Sequence, residues 1–207
     1  MDFLVGIVSG RPNVELREMF PTDDVICVGN HGLEIAGWGF EEVVPRSKQI
    51  RAEVSAIVRK LSERLKEIQG SRVRDKGLTV AVHYRSVGGP NIEVLKRIVG
   101  ETVGGSETFT ITQGKLVLEI RPDIPSNKGT AVIRVLERMF GADWRDSCLA
   151  IYMGDDLIDE DAFSALENGN VTVRVDAKPG ETAAKYFVQD PSETAEFLAW
   201  LGRIRRN

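Results

Sequence analysis

The stretch CLAIYMGDDLIDEDAF, residues 148–163, decides how the rest of the chain is read. An apolar run from Leu149 to Met153 breaks off at Gly154 and gives way to five acids in seven residues: Asp155, Asp156, Asp159, Glu160 and Asp161. A short apolar run bounded by glycine predicts a buried strand, and Glu160 to Leu166 predicts a helix after it. In an open parallel sheet, ligands bind at the carboxyl ends of the strands. Carboxylates packed there repel one another unless a cation or a substrate proton offsets the charge. A helix N-terminus, whose dipole favours acids, accounts for Asp159, Glu160 and Asp161. It does not account for Asp155 and Asp156 on the strand side, which makes these two the candidate metal ligands. Their hard oxygens suit Mg²⁺, which takes one or two carboxylates and keeps water and phosphate in its other positions.

Outward from this stretch, strands and helices alternate. Lys128 to Phe140 predicts a helix with Ala131, Val132, Val135, Leu136 and Met139 on one face, Val171 to Val175 a strand, and Glu193 to Ile204 a closing helix. Upstream, Phe3 to Val8 predicts a buried strand ending at Ser9-Gly10-Arg11-Pro12, with a helix starting near Pro12. Val25 to Val28 predicts another, running into Gly29-Asn30-His31-Gly32. Such alternation implies a parallel sheet covered on both faces. The middle of the chain has a different rhythm. Ile50, Val54, Ile57, Val58, Leu61, Leu65 and Ile68 recur at three- and four-residue steps, predicting a helix over Ser47 to Gln69 that Gly70 stops. A strand over Leu78 to Arg85 and a helix over Pro90 to Val99 follow. Thr108 to Thr112 and Lys115 to Arg121 then read as a hairpin turning at Gln113-Gly114. The expected organisation is a core of residues 1–36 and 121–207, interrupted by a compact α+β unit over 37–120.

Three further clusters carry candidate chemistry. Lys128 stands at a helix N-terminus, opposite to the dipole preference, so an anion should compensate it; Asn127 is placed to cap that helix. Ser9-Gly10-Arg11 follows its strand as Asp155 follows its own, and a hydroxyl with backbone amides could hold a phosphoryl oxygen there. Asn30, His31 and Glu34 form a polar trio on a glycine-flanked turn that suits hydroxyl recognition, although a lone histidine is more often a structural hydrogen-bonder.

The composition excludes several alternatives. With 27 basic and 31 acidic residues intermixed, the chain lacks the concentrated positive field of a nucleic-acid or polybasic membrane binder. The one tight basic cluster, Arg203, Arg205 and Arg206, fits a helix C-terminus. No run is long and apolar enough for a membrane span, and no secretory leader is apparent. Cys27 and Cys148 lie in separate apolar runs, as core residues of a reducing compartment do. The expected setting is cytoplasmic.

Together GIVSGRP (6–12), GNHGLEI (29–35), KGLTVAVHYR (76–85), LEIRP (118–122), NKGTAV (127–132) and YMGDDLIDEDAF (152–163) resemble, in order and across nearly the whole chain, the trehalose-6-phosphate phosphatase family of the haloacid dehalogenase (HAD) superfamily. The resemblance implies an α/β fold, a HAD-like parallel-sheet core with an inserted α+β cap. It implies Mg²⁺-dependent hydrolysis of trehalose 6-phosphate, a sugar phosphate, to trehalose and phosphate, with trehalose-phosphate synthase as a possible partner. By the same resemblance, Ser9 bonds the transferring phosphoryl group, Lys128 steadies its charge, Asp155 holds Mg²⁺ with Asp156 beside it, and Asp159 is a partner through water or a second layer. Arg11, Asn30, His31, Glu34, Lys76, Glu119, Arg121 and Asn127 become the expected ligand contacts. Glu119 and Arg121 alternate on one strand and share a face.

Two departures stand out. Ile158 occupies a position where the family usually has Thr. The superfamily's DxDGT motif, expected on a strand several tens of residues before Ser9, is not among residues 1–207. Asp2, followed by Phe3, Leu4 and Val5, is at the wrong end of its strand to be the nucleophile. The expectation is a core whose first strand is missing, through a mis-assigned start, a fragment or a decayed gene. Such a chain would be inactive, or would serve as a non-catalytic binding or regulatory module. A phosphatase for another glycosyl phosphate is a further alternative.

Overall fold

A computed structural model describes residues 3–178 and 180–204; Asp2, Arg205 and Arg206 lie outside these residues. The first body opens with β1 (Val5–Val8), α1 (Asn13–Met19) and β2 (Val25–Gly29), followed by a hairpin of β3 (Glu34–Gly37) and β4 (Phe40–Val43). β1 and β2 are parallel and the β3–β4 hairpin adds antiparallel strands, giving a sheet ordered β1-β2-β3-β4. This ladder carries the first body to Val43, past residue 37 where the sequence reading starts the insertion. Trp38 and Gly39 turn the hairpin with positive φ of 51° and 77°. The pair Trp-Gly is not a familiar hairpin signal, which is why the sequence did not announce the turn.

The inserted unit comprises α2 (Ser47–Arg64), β5 (Arg72–Asp75), β6 (Val80–His83), α3 (Gly89–Val103), β7 (Phe109–Gly114) and β8 (Val117–Pro122). Its antiparallel sheet, ordered β5-β6-β8-β7, carries both helices on one face. α2 buries Ile50, Val54, Ile57 and Leu61, each contributing about 1.5–3 kcal/mol when fully buried. It stops at Arg64, earlier than the apolar period suggests. Leu65 and Ile68 are buried all the same, on the turns that follow. The β7–β8 hairpin pairs Gly114 with Val117, so the turn falls at Lys115-Leu116 and not at Gln113-Gly114; Leu116 takes a positive φ of 61° there.

The chain then returns through α4 (Lys128–Phe140), α5 (Trp144–Ser147), β9 (Ile151–Gly154), α6 (Glu160–Ala165), β10 (Val171–Val175), β11 (Tyr186–Val188) and α7 (Pro191–Ile204). β9, β10 and β11 form a separate all-parallel sheet ordered β11-β10-β9. Among the described residues the core thus holds two sheets, in keeping with the expectation of a parallel-sheet core whose first strand is missing. Among the described residues, β1 has no strand on the side away from β2, and β9 has none on the side away from β10. Val8 packs against the apolar clusters of both halves. Cys27 is buried as expected, whereas Cys148 is partly exposed; both thiols are free.

The two crossings between core and insertion meet at one corner. The Val44 N–H donates to the Leu33 carbonyl at 3.0 Å, and the Ser126 hydroxyl donates to the neighbouring Gly32 carbonyl at 3.0 Å.

Candidate active site

The site is organised around the corner Asn30-His31-Gly32, where β2 turns into β3. Asn30 and His31 both adopt positive φ, 48° and 59°, which is uncommon without glycine and more tolerable for Asn and His than for most residues. Two backbone bonds tie this corner to the loop after β1. The His31 N–H donates to the Ser9 carbonyl at 3.0 Å, and the Asn30 N–H donates to the Arg11 carbonyl at 2.8 Å. The His31 imidazole lies directly on Gly10, where any Cβ would collide with the ring, so this turn needs glycine.

Asn30 is fully engaged. Its amide donates to the Glu34 carboxylate (2.9 Å) and the Lys76 carbonyl (3.0 Å), and it accepts from the Thr79 hydroxyl (3.0 Å). It therefore joins the core corner to the cap turn between β5 and β6 instead of waiting for a ligand. Glu34 is spent as well: its Oε2 accepts from the Asn13 and Asn30 nitrogens, and Arg51 of α2 donates to its Oε1 at 2.8 Å.

His31 is different. It is buried, and neither ring nitrogen has a partner among the described residues. Burial first, then the positive charges of Arg121, Lys76 and Lys128, hold its pKa down at about 3, so the ring is neutral at physiological pH. Lys76 donates to Glu119 Oε1 at 2.8 Å, and Glu119 Oε2 is buried without a partner among the described residues. Arg121, on the same face of β8 as Glu119, donates to the Ser126 carbonyl at 3.1 Å. Burial lowers the Arg121 pKa from its usual value, against the opposing pull of Glu119 and Asp161.

The anion that Lys128 calls for is Asp159. Lys128 Nζ donates to Asp159 Oδ1 at 2.6 Å, with the two side chains only 8% and 4% exposed. Asp159 Oδ1 also accepts the Tyr152 hydroxyl at 2.7 Å, and Oδ2 accepts the Asp156 N–H at 2.9 Å. With both oxygens engaged, Asp159 sits behind the acidic loop and not at its surface. Asp155 and Asp156 are exposed. Asp156 Oδ1 accepts the Leu157 N–H, while the Asp155 carboxylate has no hydrogen bond or ion pair among the described residues. No group of three or more His, Cys, Asp or Glu side chains there is arranged to hold a metal ion. Mg²⁺ needs only one or two carboxylates, and a free Asp155 beside Asp156 meets that requirement. Asn127 caps α4, its Oδ1 accepting the Thr130 N–H at 2.8 Å, and Arg11 pairs with Glu15.

The structure thus gathers Ser9, His31, Lys76, Glu119, Arg121, Lys128 and Asp159 around one corner. Asn30, Glu34 and Asn127 are turned to internal bonds. A cavity of about 730 Å³ lies beside this cluster between α1, the β3–β4 hairpin and the cap. Glu34 and Lys76 line it, and Ser9, Lys128 and Asp155 do not. Sequence reading missed Tyr152, whose place in an apolar run disguises its hydroxyl. It also missed Arg174, which donates to the Asp156 carbonyl at 2.8 Å and steadies the acidic loop from β10.

A parallel half-sheet ending in an acidic loop, a lysine at the N-terminus of the preceding helix α4 and an inserted α+β cap define a HAD-like phosphatase fold. The sequence profile of trehalose-phosphatase matches residues 1–192, and the chain belongs to the trehalose-phosphatase family. Probable trehalose-phosphate phosphatase 2 of Oryza sativa subsp. japonica is 32% identical over 95% of this chain and 57% of its own length. Trehalose-phosphate phosphatase B of Arabidopsis thaliana is 31% identical over 99% of this chain and 58% of its own. The chain therefore spans somewhat over half the length of these relatives. Among solved structures, a trehalose-6-phosphate phosphatase related protein superposes with a TM-score of 0.79 at 26% identity, covering 98% of this chain and 82% of that one.

Proposed function

We propose that residues 1–207 carry the phosphate- and sugar-holding part of a Mg²⁺-assisted site for the dephosphorylation of trehalose 6-phosphate. The observation that carries this reading is the buried Lys128–Asp159 pair at the start of α4, with the cap residues Arg121 and Lys76 also close enough to act on His31. A phosphomonoester is doubly charged, and a cluster of cations around a neutral histidine suits it better than it suits a neutral sugar. Ser9 and the amides after it would hold a phosphoryl oxygen, and Lys128 would neutralise its charge. The unsatisfied Glu119 and His31 atoms would take sugar hydroxyls, which can both donate and accept. Arg11 would turn from Glu15 toward the ligand. Mg²⁺ held by Asp155 and Asp156 would supply charge neutralisation at the phosphoryl oxygens.

Turnover by this chemistry needs an aspartyl nucleophile and a second aspartate as general acid and base. Residues 1–207 offer no candidate for either, so this reading places them on a DxDGT strand outside these residues. The unpaired sides of β1 and β9, with Val8 touching both halves of the core, support a strand between them. A cytoplasmic setting and an association with trehalose-phosphate synthase, which makes the substrate, extend the same proposal.

Calorimetry on residues 1–207 tests the binding half. Trehalose 6-phosphate should bind at least tenfold more tightly than trehalose, and Lys128→Ala should remove the difference. Equal affinity for the two sugars would remove the basis of the proposal.

A further inference from the structure

We infer that Tyr152 is a positioning residue that fixes the direction of the Lys128 ammonium through Asp159; the importance of that direction for anion binding rests on the function proposed above. Lys128 is buried at the wrong end of a helix for a cation, so it depends on Asp159. Asp159 comes from a single tight turn, Leu157–Asp159, and a carboxylate on such a turn can rotate. Three donors stop it. Lys128 Nζ and the Tyr152 hydroxyl share Oδ1 at 2.6 and 2.7 Å, and the Asp156 N–H takes Oδ2 at 2.9 Å.

Of the three, the Asp156 amide belongs to the same turn as Asp159 and moves with it. Lys128 is the group being positioned. Tyr152 alone reaches the carboxylate from a regular strand, β9, which is paired along its length with β10. Its ring is buried and stands edge-on to Phe163, with centroids 5.7 Å apart and planes at 81°. Such edge-to-face contacts restrict ring orientation and so aim the hydroxyl. Burial, then the Asp159 charge, push the phenol pKa upward, so the hydroxyl keeps its proton and remains a donor wherever the fold is stable. With two donors on Oδ1, the ammonium has one bond committed and the direction of its other two N–H groups set.

Tyr152→Phe keeps the ring and removes the hydroxyl. In the full 207-residue chain, with lysines isotopically labelled and Lys128 assigned by its loss in Lys128→Met, the buried ammonium should give a slowly exchanging NMR signal. In Tyr152→Phe that signal should broaden into fast exchange, and the Kd for inorganic phosphate should rise about tenfold. Leu166→Val, a packing change in the same apolar cluster, should lower Tm without either effect. An unchanged Lys128 signal in Tyr152→Phe would overturn the inference, and so would equal broadening in Leu166→Val. If Tyr152→Phe does not fold, the wild-type phenolic proton decides. It should appear as a downfield resonance that Lys128→Met shifts, and its absence would overturn the inference. A wild type with a slow Lys128 signal but no phosphate binding would end the proposed function instead, leaving the positioning of Lys128 to be judged by that signal.

Discussion

The Arg74 guanidinium on β5 and the Glu15 carboxylate on α1 meet at 2.6 Å, joining the cap to the first helix of the core. Arg11 takes the other oxygen of the same carboxylate at 3.2 Å, so one acid ties a cap strand to the loop that holds Ser9. Burial raises the Glu15 pKa, but hydrogen bonds and charge from Arg74 and Arg11 outweigh it and hold the group below the usual carboxylate value.

Arg74→Ala should therefore loosen the cap more than it weakens the fold. Both partners are partly exposed, so the stability change should be under about 1 kcal/mol. Hydrogen exchange at the Lys76 and Gly77 amides should rise relative to amides inside α2. Because the Glu15 pKa is depressed, its contribution is present above the unfolded value of about 4.3 and lost as pH falls through the lower folded one. Exchange in the wild type should thus approach that of Arg74→Ala below about pH 4.

His31 predicts a second pH dependence. The folded imidazole stays neutral down to about pH 3, whereas an unfolded one protonates near pH 6.5. Between these values the unfolded chain binds more protons, so stability is complete above about pH 6.5 and declines as pH falls. The slope is at most about 1.4 kcal/mol per pH unit. His31→Asn, which tolerates the positive φ, should flatten the wild-type curve over this window when urea midpoints are compared at pH 4, 5, 6 and 7. Parallel curves for the two proteins would contradict it.

Lys128→Met should cost about 3 kcal/mol, because it strands the buried Asp159 carboxylate with only Tyr152 and a backbone amide. For a chain of this size that lowers Tm by roughly 6–12 °C. The double variant Lys128→Met with Asp159→Leu should recover part of the loss, as thermal melts would show.

Residues 1–207 alone should release no phosphate from trehalose 6-phosphate with Mg²⁺, since they contain no candidate nucleophile. Turnover near the typical enzyme value of about 10 s⁻¹ in a phosphate-release assay would show that the covalent chemistry was misassigned.

The edge of β1 that has no neighbouring strand among the described residues should make the same polypeptide prone to self-association. Val5 on that strand is 49% exposed, and an apolar strand edge invites pairing with another chain. Val5→Lys should raise the concentration at which light scattering first detects oligomers.

The sequence disclosed elements wherever side-chain period and boundary signals agreed. α4 and β10 fall on the expected residues because Asn127 caps one and four of the five residues of the other are β-branched. β5 was hidden because three of its four residues, Arg72, Arg74 and Asp75, are charged; its pairing with β6 holds it in place. β11, with Tyr186 and Phe187 exposed, is too short to show a period. At the site, residue types pointed to the right neighbourhood but not to the hydrogen-bond partners. Glu34 and Asn30 are polar residues on a glycine turn, as ligand contacts are, yet their atoms are used to join core and cap. Which of these two uses a polar side chain serves depends on contacts 17 to 49 positions away along the chain.

Both crossings into the insertion fasten to the adjacent carbonyls of Gly32 and Leu33. The host is thus left and rejoined at a single corner, and loop-closure entropy depends only weakly on what lies between. To the core, the whole stretch from Ser47 to Pro122 counts as one surface loop. Such a loop can be exchanged as one contiguous piece of coding sequence, carrying Lys76, Glu119 and Arg121 with it and leaving Lys128 and Asp159 behind. On the function proposed above, the cap's share of the ligand contacts and the core's Lys128–Asp159 pair can therefore evolve by separate genetic events: recombination at two nearby points for one, point substitution for the other.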